Sequence, residues 1–527
     1  MKRNVWIALT AVLCLAAILT ACGSPAPMGG GNYNIPGSSQ PAKGSKEYSN
    51  KDAAYDQAME GEYVIADKTG PEGTAYDGPS LQENPWTNTA EAAQSTFSAD
   101  VDTASYSMMR RLINEGYSKS YIQGRYVFRT EEMINYFRIA GKQPEEGDLF
   151  GVTAEIAACP WDTGSELMIL NLATQKETVK KPGNYVFLVD VSGSMSGYDR
   201  IELLKRAFRY LTVNLTAEDT VSIVTYASDS RTVLAGCPGN QTDRILSAVD
   251  SLKAGGATYG EQGLQTAYSV ARDYFIENGN NRIILASDGD FNVGLSSVEA
   301  LEEYITNMRQ SRVYLSVLGF GYGNFRDDVM ETLADKGNGV YYYIDSDREA
   351  EKVFGTELSS TLYTVAEDVK LQLTFDPEYV AAYRLIGYEN RALNNEDFED
   401  DTKDAGEVGT GHTVTVAYQI RLTEKAKSES GADWMKLAVR YKQPGQTQSL
   451  LNEYGIGSAS YRENAGEIFR FLCAVIETSL WLNRSEYLPE GVGLDFILEQ
   501  TAGIELAKTN PDFAEFCDLV RELSEAK

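Results

Sequence analysis

Residues 185 to 344 alternate short apolar runs with stretches whose apolar side chains recur at helical spacing. Predicted strands cover 185–190, 220–226, 231–234, 282–287, 313–318 and 339–344. Predicted helices cover 200–215, 243–252, 263–278, 297–311 and 326–336. Apolar strands that alternate with helices in this way predict βαβ units. We therefore expect a doubly wound α/β domain over residues 183–365, with a mostly parallel sheet and helices on both faces.

The segments on either side of this domain follow other patterns. Before it, the expected elements are helices at 102–116 and 130–139 and strands at 150–157 and 166–172. After it, they are strands at 369–375, 413–422 and 435–441 and helices at 461–483, 491–508 and 511–526. The sequence thus predicts an N-terminal α+β region at 95–180 and a C-terminal region of β-strands followed by helices at 366–527.

The N-terminus has the pattern of an export signal. Lys2 and Arg3 precede an apolar run over residues 5–19, and the run ends at Leu19-Thr-Ala-Cys22. These last four residues resemble the bacterial lipobox, in which the peptide is cut before the cysteine and the thiol is acylated. We expect a lipoprotein signal peptide at 1–21 and lipidation of Cys22. An ordinary secretory signal that contains a cysteine is the alternative.

Residues 22–94 are rich in Gly, Ser, Pro, Asn and acidic residues and lack a sustained apolar period. Such a segment buries too little apolar surface to offset the entropy cost of ordering, so we expect a flexible low-complexity stalk. The expected location is the extracytoplasmic face of a bacterial cell membrane, to which the chain is held by its lipid anchor.

The charge balance excludes one class of partner. Lys and Arg number 47 against 76 Asp and Glu, which gives a formal net charge of −29. Because nucleic acid is itself a polyanion, and no basic stripe offsets this charge, we expect no nucleic-acid binding.

The histidine and cysteine content narrows the chemistry further. The single histidine, His412, excludes a multi-histidine zinc site, and we expect it at the surface rather than acting as a base. Cys159, Cys237, Cys473 and Cys517 are widely spaced, so buried free thiols are expected, although an exported protein permits disulfides.

Oxygen side chains follow three of the predicted α/β elements. Asp190, Ser192 and Ser194 come directly after an apolar strand, Thr258 follows a glycine pair, and Asp288 follows another strand. Loops at the carboxyl ends of parallel strands meet at one edge of the sheet. Two carboxylates and three hydroxyls form an oxygen-only set suited to Mg²⁺, with Mn²⁺ or Ca²⁺ as alternatives. Solvated turns are the competing interpretation.

This Asp-x-Ser-x-Ser, Thr and Asp-Gly pattern resembles the metal-ion-dependent adhesion site of von Willebrand factor type A (VWA) domains. The segments 100–106, 131–137, 286–294 and 382–391 look like those of the bacterial YfbK-like VWA lipoproteins. The resemblance implies that Ser192, Ser194 and Thr258 hold the ion directly, while Asp190 and Asp288 act largely through water. It also implies that one coordination position stays open for a carboxylate from a partner protein.

Three functions remain open at this point. The first is a non-catalytic, metal-dependent protein-binding module, which we favour. The second is a metal-assisted hydrolase that acts on the cell envelope, although the sequence lacks HExxH and GxSxG motifs and a Cys/His pairing. The third is a structural lipoprotein whose metal only stabilises the fold.

Overall fold

The computed structural model describes residues 81–176, 181–258, 260–289, 298–309, 311–321, 327–357 and 362–526. The predicted signal peptide, Cys22 and the stalk up to residue 80 lie outside the described residues. Apart from the boundary between the stalk and the folded body, which is corrected below, the predicted domain boundaries stay predictions, and the elements below are given as the structure has them.

The strands are β1 Thr87–Asn88, β2 Gln94–Ser98, β3 Phe150–Ala158, β4 Glu166–Thr174, β5 Gly183–Asp190, β6 Thr220–Tyr226, β7 Ser230–Pro238, β8 Asn280–Ser287, β9 Tyr314–Phe320, β10 Tyr341–Ile344, β11 Thr364–Phe375, β12 Val380–Ile386, β13 Gly406–Gly409, β14 Thr413–Leu422, β15 Asp433–Lys442 and β16 Ser449–Gly457. The helices are α1 Ala104–Asn114, α2 Lys119–Arg125, α3 Thr130–Asn135, α4 Ile201–Thr212, α5 Thr242–Asp250, α6 Gly260–Asp273, α7 Val298–Arg309, α8 Asp327–Lys336, α9 Asp347–Glu351, α10 Glu424–Ser428, α11 Glu467–Leu482, α12 Leu494–Thr501 and α13 Pro511–Glu525. Short 3₁₀ turns include Gly193–Met195.

The central sheet confirms the predicted doubly wound α/β fold. Its strand order is β10-β9-β8-β5-β6-β7. The first five strands in this order pair in parallel, and β7 pairs antiparallel with β6 at the edge. The chain passes from β5 to β6 on one side and later returns to β8 on the other. The strand order therefore reverses between β5 and β8, where ligands bind in open α/β sheets.

Strand β5 shows why this segment lies at the centre of the sheet. All eight of its residues are buried. Val186 and Leu188 join one apolar cluster, while Tyr185, Phe187 and Val189 join the other. Successive side chains of a strand point to opposite faces, so an uninterrupted apolar run serves a sheet that is covered on both sides.

Helices α4 and α6 cover the two faces of this sheet. Leu204 and Phe208 of α4 pack in the cluster that holds Phe187. Leu264 and Ala267 of α6 pack in the cluster that holds Val186 and Leu188. The order strand, helix, strand that was predicted for this segment is thereby confirmed.

The two flanking regions are interleaved, which the sequence did not indicate. One antiparallel sheet has the order β1-β12-β14-β4-β3, and a second has the order β13-β11-β15-β16 with β2 paired to β11. Strands from before and after the α/β segment therefore share both sheets. Local periodicity identifies a strand but carries no information about its partner, which is why this pairing was not predicted.

The ordered body begins before residue 95, the start expected from the sequence. Strand β1 pairs with β12, and the Nδ2 of Asn84 donates to the carbonyl oxygen of Gly387 at 2.8 Å. The guanidinium of Arg421 lies 4.2 Å from the ring centroid of Trp86. These contacts correct the assignment of residues 84–94 to a flexible stalk.

The apolar helix α11 belongs to the core. Twelve of its sixteen residues are buried, and Phe471 stacks on Phe513 of α13 with ring centroids 3.8 Å apart. Within the part of the chain that the structure describes, no helix is both long and apolar enough to span a bilayer.

Candidate metal-binding site

The five predicted site residues lie on three loops. Asp190 is the last residue of β5, Ser192 directly precedes the 3₁₀ turn Gly193–Met195, and Ser194 lies within that turn. Asp288 comes directly after β8, the parallel neighbour of β5. Thr258 lies between α5 and α6. The residues that end adjacent strands are thus placed at the edge where the strand order reverses.

The carboxylate of Asp190 is buried and receives several hydrogen bonds. The backbone N–H of Ser192 donates to its Oδ1 at 2.8 Å. The hydroxyls of Tyr226 and Ser287 donate to its Oδ2, each at 3.2 Å. Burial raises the pKa of Asp190 to about 6, against the lowering effect of the Ser192 hydrogen bonds. Tyr226 and Ser287 were not predicted as site residues, because each reads as an ordinary residue near a strand's end.

Hydroxyl groups connect Asp190 to Asp288. The Oγ atoms of Ser192 and Ser194 lie 2.9 Å apart, and the Oγ of Ser194 donates to Oδ1 of Asp288 at 3.3 Å. Two carboxylates and two hydroxyls therefore converge as one set of oxygen atoms.

The loop that carries Thr258 is hydrogen-bonded through its backbone to the loop that follows β5. The N–H of Gly193 donates to the oxygen of Gly256 at 3.0 Å, and the N–H of Gly255 donates to the oxygen of Val191 at 2.7 Å. Gly256 has φ +97°, which disfavours any residue with a side chain. The two glycines that the sequence places before Thr258 thus join the loop of that residue to the loop that follows β5.

Arg200 is a site residue that the sequence did not identify. Its Nη1 donates to the backbone oxygen of Ser194 at 2.7 Å, and its Nε lies 3.9 Å from Oδ2 of Asp288. Gly321 has φ +69°, and a Cβ there would lie 2.2 Å from Arg200 Nε. Gly321 therefore leaves the space that the guanidinium fills.

The donor set fits a hard divalent cation. Its members are carboxylate and hydroxyl oxygens, the ligands preferred by Mg²⁺, and it contains no sulfur or imidazole. Among the described residues, no group of three or more His, Cys, Asp and Glu is arranged to hold a metal. A set with only two carboxylates depends on hydroxyl groups for its remaining side-chain ligands. The structure brings the hydroxyls of Ser192 and Ser194 to this set, whereas Thr258 is linked to it through the backbone bonds of the two glycines of its loop.

His412 differs from its predicted surface position. It is buried, 2% exposed, immediately before β14, and its N–H donates to the Thr174 hydroxyl at 3.0 Å. Burial holds the pKa of its imidazole well below the usual value. The adjacent apolar strand carries the residue inward, which the polar local sequence concealed.

The cysteine prediction is confirmed for the described residues. Cys159, Cys237, Cys473 and Cys517 are all free and buried.

Comparison with known proteins places the candidate site within a named domain. Three family models match the chain: "von Willebrand factor" at residues 73–169, "von Willebrand factor type A domain" at residues 185–290, and "Uncharacterized protein YfbK, C-terminal" at residues 360–526. All five predicted metal ligands fall inside the second of these ranges.

The chain is also similar to individual proteins and to a solved structure. The protein "Uncharacterized protein YfbK" of Escherichia coli (strain K12) is 38% identical over 432 residues, which cover 77% of this chain and 74% of that protein. The human "Inter-alpha-trypsin inhibitor heavy chain H3" is 26% identical over 279 residues, which cover 48% of this chain and 30% of that protein. Among solved structures, "von Willebrand factor type A from Catenulispora acidiphila" matches with a TM-score of 0.40 and 15% identity, covering 71% of this chain and 87% of that chain.

Proposed function

Because the chain belongs to the family of YfbK, a bacterial protein with a von Willebrand factor type A domain, we propose that it is a metal-dependent protein-binding module. In this proposal the site binds a divalent cation, Mg²⁺ before Mn²⁺ or Ca²⁺. A carboxylate of a partner protein then binds at the cation. VWA domains commonly bind a divalent metal and mediate contacts between proteins.

The observation that carries the proposal is the convergence of oxygen atoms between β5 and β8. Ser192, Ser194 and Asp288 form a continuous chain of contacts, and the Ser192 N–H holds Asp190 beside them. Gly255 and Gly256, which precede Thr258, are hydrogen-bonded to the same loop, and the five residues Asp190, Ser192, Ser194, Thr258 and Asp288 are those that would hold the ion.

The same donor set supports a carboxylate as the group that is recognised. Hydroxyl ligands are neutral, so a bound divalent cation would keep much of its charge and would supply an electrophilic position open to an anionic oxygen. Contact of this kind acts over a few ångströms. It can therefore operate although the chain as a whole is acidic, because salt screens the surface field over about 8 Å.

The proposal also includes a lipid tether. The basic residues, apolar run and Leu-Thr-Ala-Cys22 of the N-terminus support export, acylation of Cys22 and attachment to the outer face of the cell membrane. About sixty residues then lie between Cys22 and the first residues that the structure describes, a length that would let the site reach partners beyond the bilayer.

A non-catalytic role is favoured over a hydrolase by the surroundings of the site. Histidine is the commonest general base in enzymes, and the one histidine of the chain is buried immediately before β14, a strand of a different sheet. The Asp190 carboxylate is engaged by Ser192, Tyr226 and Ser287. These contacts suit a group that positions its neighbours more than one that exchanges protons with a substrate.

The proposal is tested by capture of a partner from envelope extracts with the full-length protein in detergent. Captures are run with Mg²⁺, with EDTA, and with EDTA followed by excess Mn²⁺. Ser194→Ala removes a predicted ligand, and Ser247→Ala removes an exposed hydroxyl from α5 as a matched control. We expect one set of proteins to be captured with either metal by the wild type and by Ser247→Ala, and to be lost with EDTA or Ser194→Ala. Capture that survives EDTA would exclude a metal-dependent module.

A further inference from the structure

The side chain of Tyr198 is exposed to solvent beside the candidate site. Its side chain is 72% exposed, against 39% for Tyr274, the next most exposed aromatic residue in the described part of the chain. It lies in the loop between Ser194 and α4, whose ends are joined where Arg200 donates to the Ser194 oxygen at 2.7 Å. A closed loop of this length keeps Tyr198 at the same edge of the sheet as the predicted metal ligands.

The ring is held in place by its neighbours. The guanidinium carbon of Arg206 lies 4.0 Å from the ring centroid, and Nη2 of Arg206 donates to the Tyr198 backbone oxygen at 3.3 Å. Arg206 is in turn fixed by Asp347, which accepts from its Nε at 2.6 Å. One face of the ring is therefore covered by a cation, and its orientation is set before any partner arrives.

The residue after Tyr198 is fastened as well. Asp199 pairs with Arg111 of α1 at 2.6 Å, and Arg111 also donates to the hydroxyl of Tyr343 at 3.0 Å. The side chain of Asp199 and the backbone oxygen of Tyr198 are thus tied to helices α1 and α4, while the Tyr198 ring contributes little to the core. An exposed aromatic side chain on a rigid loop is typical of binding surfaces, because it offers a large contact area at a low entropy cost.

The negative net charge of the chain indicates what an exposed aromatic ring beside the site can contribute to binding. The net charge of −29 slows the approach of acidic partners, so a carboxylate-specific site gains from a second contact that does not depend on charge. Apolar contact with the open face of Tyr198 would supply it.

We propose that Tyr198 sets the specificity of the site, which selects protein segments in which an Asp or Glu lies within a few residues of an apolar or aromatic side chain. This inference rests on the proposed function, because the carboxylate is bound at the metal site.

The test uses defined peptides as probes. Soluble peptides carry a central Asp in a Gly-Ser background, with Leu, Trp or Ser at one of the four positions on either side. Their affinities for the full-length protein are measured in detergent, with Mg²⁺ and with EDTA. Tyr198→Ser removes the ring, Tyr198→Phe keeps it, and Val213→Ser changes a 79% exposed apolar residue at the far end of α4. Thermal unfolding of each variant verifies that the fold is intact.

We expect Mg²⁺-dependent binding in which the best Leu or Trp peptide exceeds its Ser counterpart about tenfold. Tyr198→Ser should lose this preference for Leu or Trp but should still bind the Ser peptide in a Mg²⁺-dependent way. Tyr198→Phe and Val213→Ser should keep both the preference and the Mg²⁺-dependent binding. A Leu or Trp preference that is absent in the wild type, or that persists in Tyr198→Ser, overturns the role of Tyr198 and leaves the proposed function standing. Absence of Mg²⁺-dependent binding to every Asp peptide overturns both.

Discussion

The Oγ of Ser194 lies 3.3 Å from Oδ1 of Asp288, although the two residues are 94 positions apart in the chain. The contact exists because β5 and β8 are parallel neighbours whose carboxyl ends are aligned. One serine in the turn after β5 thereby reaches the aspartate after β8. The candidate site is a product of sheet topology, which brings together side chains that are far apart in the sequence.

Replacing Gly321 with alanine should destabilise the protein by more than the backbone strain alone. At φ +69° a side chain is disfavoured by about 1–2 kcal/mol, and a Cβ would also lie 2.2 Å from Nε of Arg200. Gly431→Ala is the matched control, since Gly431 has φ +83° with nothing within 4 Å of its added Cβ. Urea unfolding should show a loss for Gly321→Ala at least about 1 kcal/mol larger than for Gly431→Ala. Equal losses would mean that Arg200 does not depend on this space.

Glu83→Ala should destabilise the body, because Glu83 closes a buried ion pair. Its Oε1 lies 3.6 Å from Nη1 of Arg384, whose side chain is 0% exposed, and it also accepts from the Ser485 hydroxyl at 2.7 Å. Removing one partner of a buried pair typically costs about 3–5 kcal/mol. Denaturant unfolding measures the loss, with exposed Glu91→Ala as the control. If both variants unfold alike, residues before β1 are dispensable to the fold.

The free energy of unfolding should decrease as the pH rises towards about 8, because Glu477 of α11 is a buried carboxyl group with a raised pKa. Burial raises the pKa of this carboxyl to about 8, against the lowering effect of Gln500, which donates to both carboxyl oxygens at 2.8 and 2.7 Å. Between about pH 4.5 and 8 the folded state holds a proton that the unfolded state releases. The free energy of unfolding therefore decreases with pH there, by at most about 1.4 kcal/mol per unit.

The variant Glu477→Gln isolates this contribution. Its melting temperature should change less than that of the wild type over the same pH interval, and its advantage should be largest near the upper end. Exposed Glu499→Gln serves as the control and should follow the wild type. An unaltered pH profile in Glu477→Gln would assign the pH dependence to other groups.

Cys22→Ser should abolish incorporation of a labelled fatty acid in bacteria that express the full chain. The thiol of Cys22 is the predicted acylation site, whereas Cys14 lies within the predicted signal peptide. Cys14→Ser should therefore be labelled like the wild type. Continued labelling of Cys22→Ser would rule out the lipobox assignment.

The sequence alone was enough to predict those parts of the fold that a local pattern of residues determines. The apolar run of β5 and the polar residues after it predicted a central strand with a site at its carboxyl end, and the structure has Asp190 at that position. Strand β12 was missed because Arg384 lies in its middle, and only the fold shows that this arginine is buried against Glu83 and Tyr487. A long-range contact of that kind leaves no periodic signal.

The same reason explains what was missed at the site. Arg200 reads as the polar first residue of the predicted helix 200–215, and its approach to Ser194 and Asp288 depends on the packing around Gly321. His412 reads as a loop residue, and its burial follows from the pairing of β14 with β4. Sequence reasoning found the oxygen side chains of the candidate site because their spacing is local to each loop, and it did not find the residues that hold those loops together.

Titration calorimetry of Mg²⁺ into the full-length protein in detergent tests the central claim most directly. Asp190→Ala and Thr258→Ala each remove a predicted ligand from a different loop, and Ser247→Ala is the control outside the site. We predict saturable Mg²⁺ binding to the wild type and to Ser247→Ala, and loss of that binding in both ligand variants. Binding of the same affinity in all four proteins would contradict the assignment of the metal site.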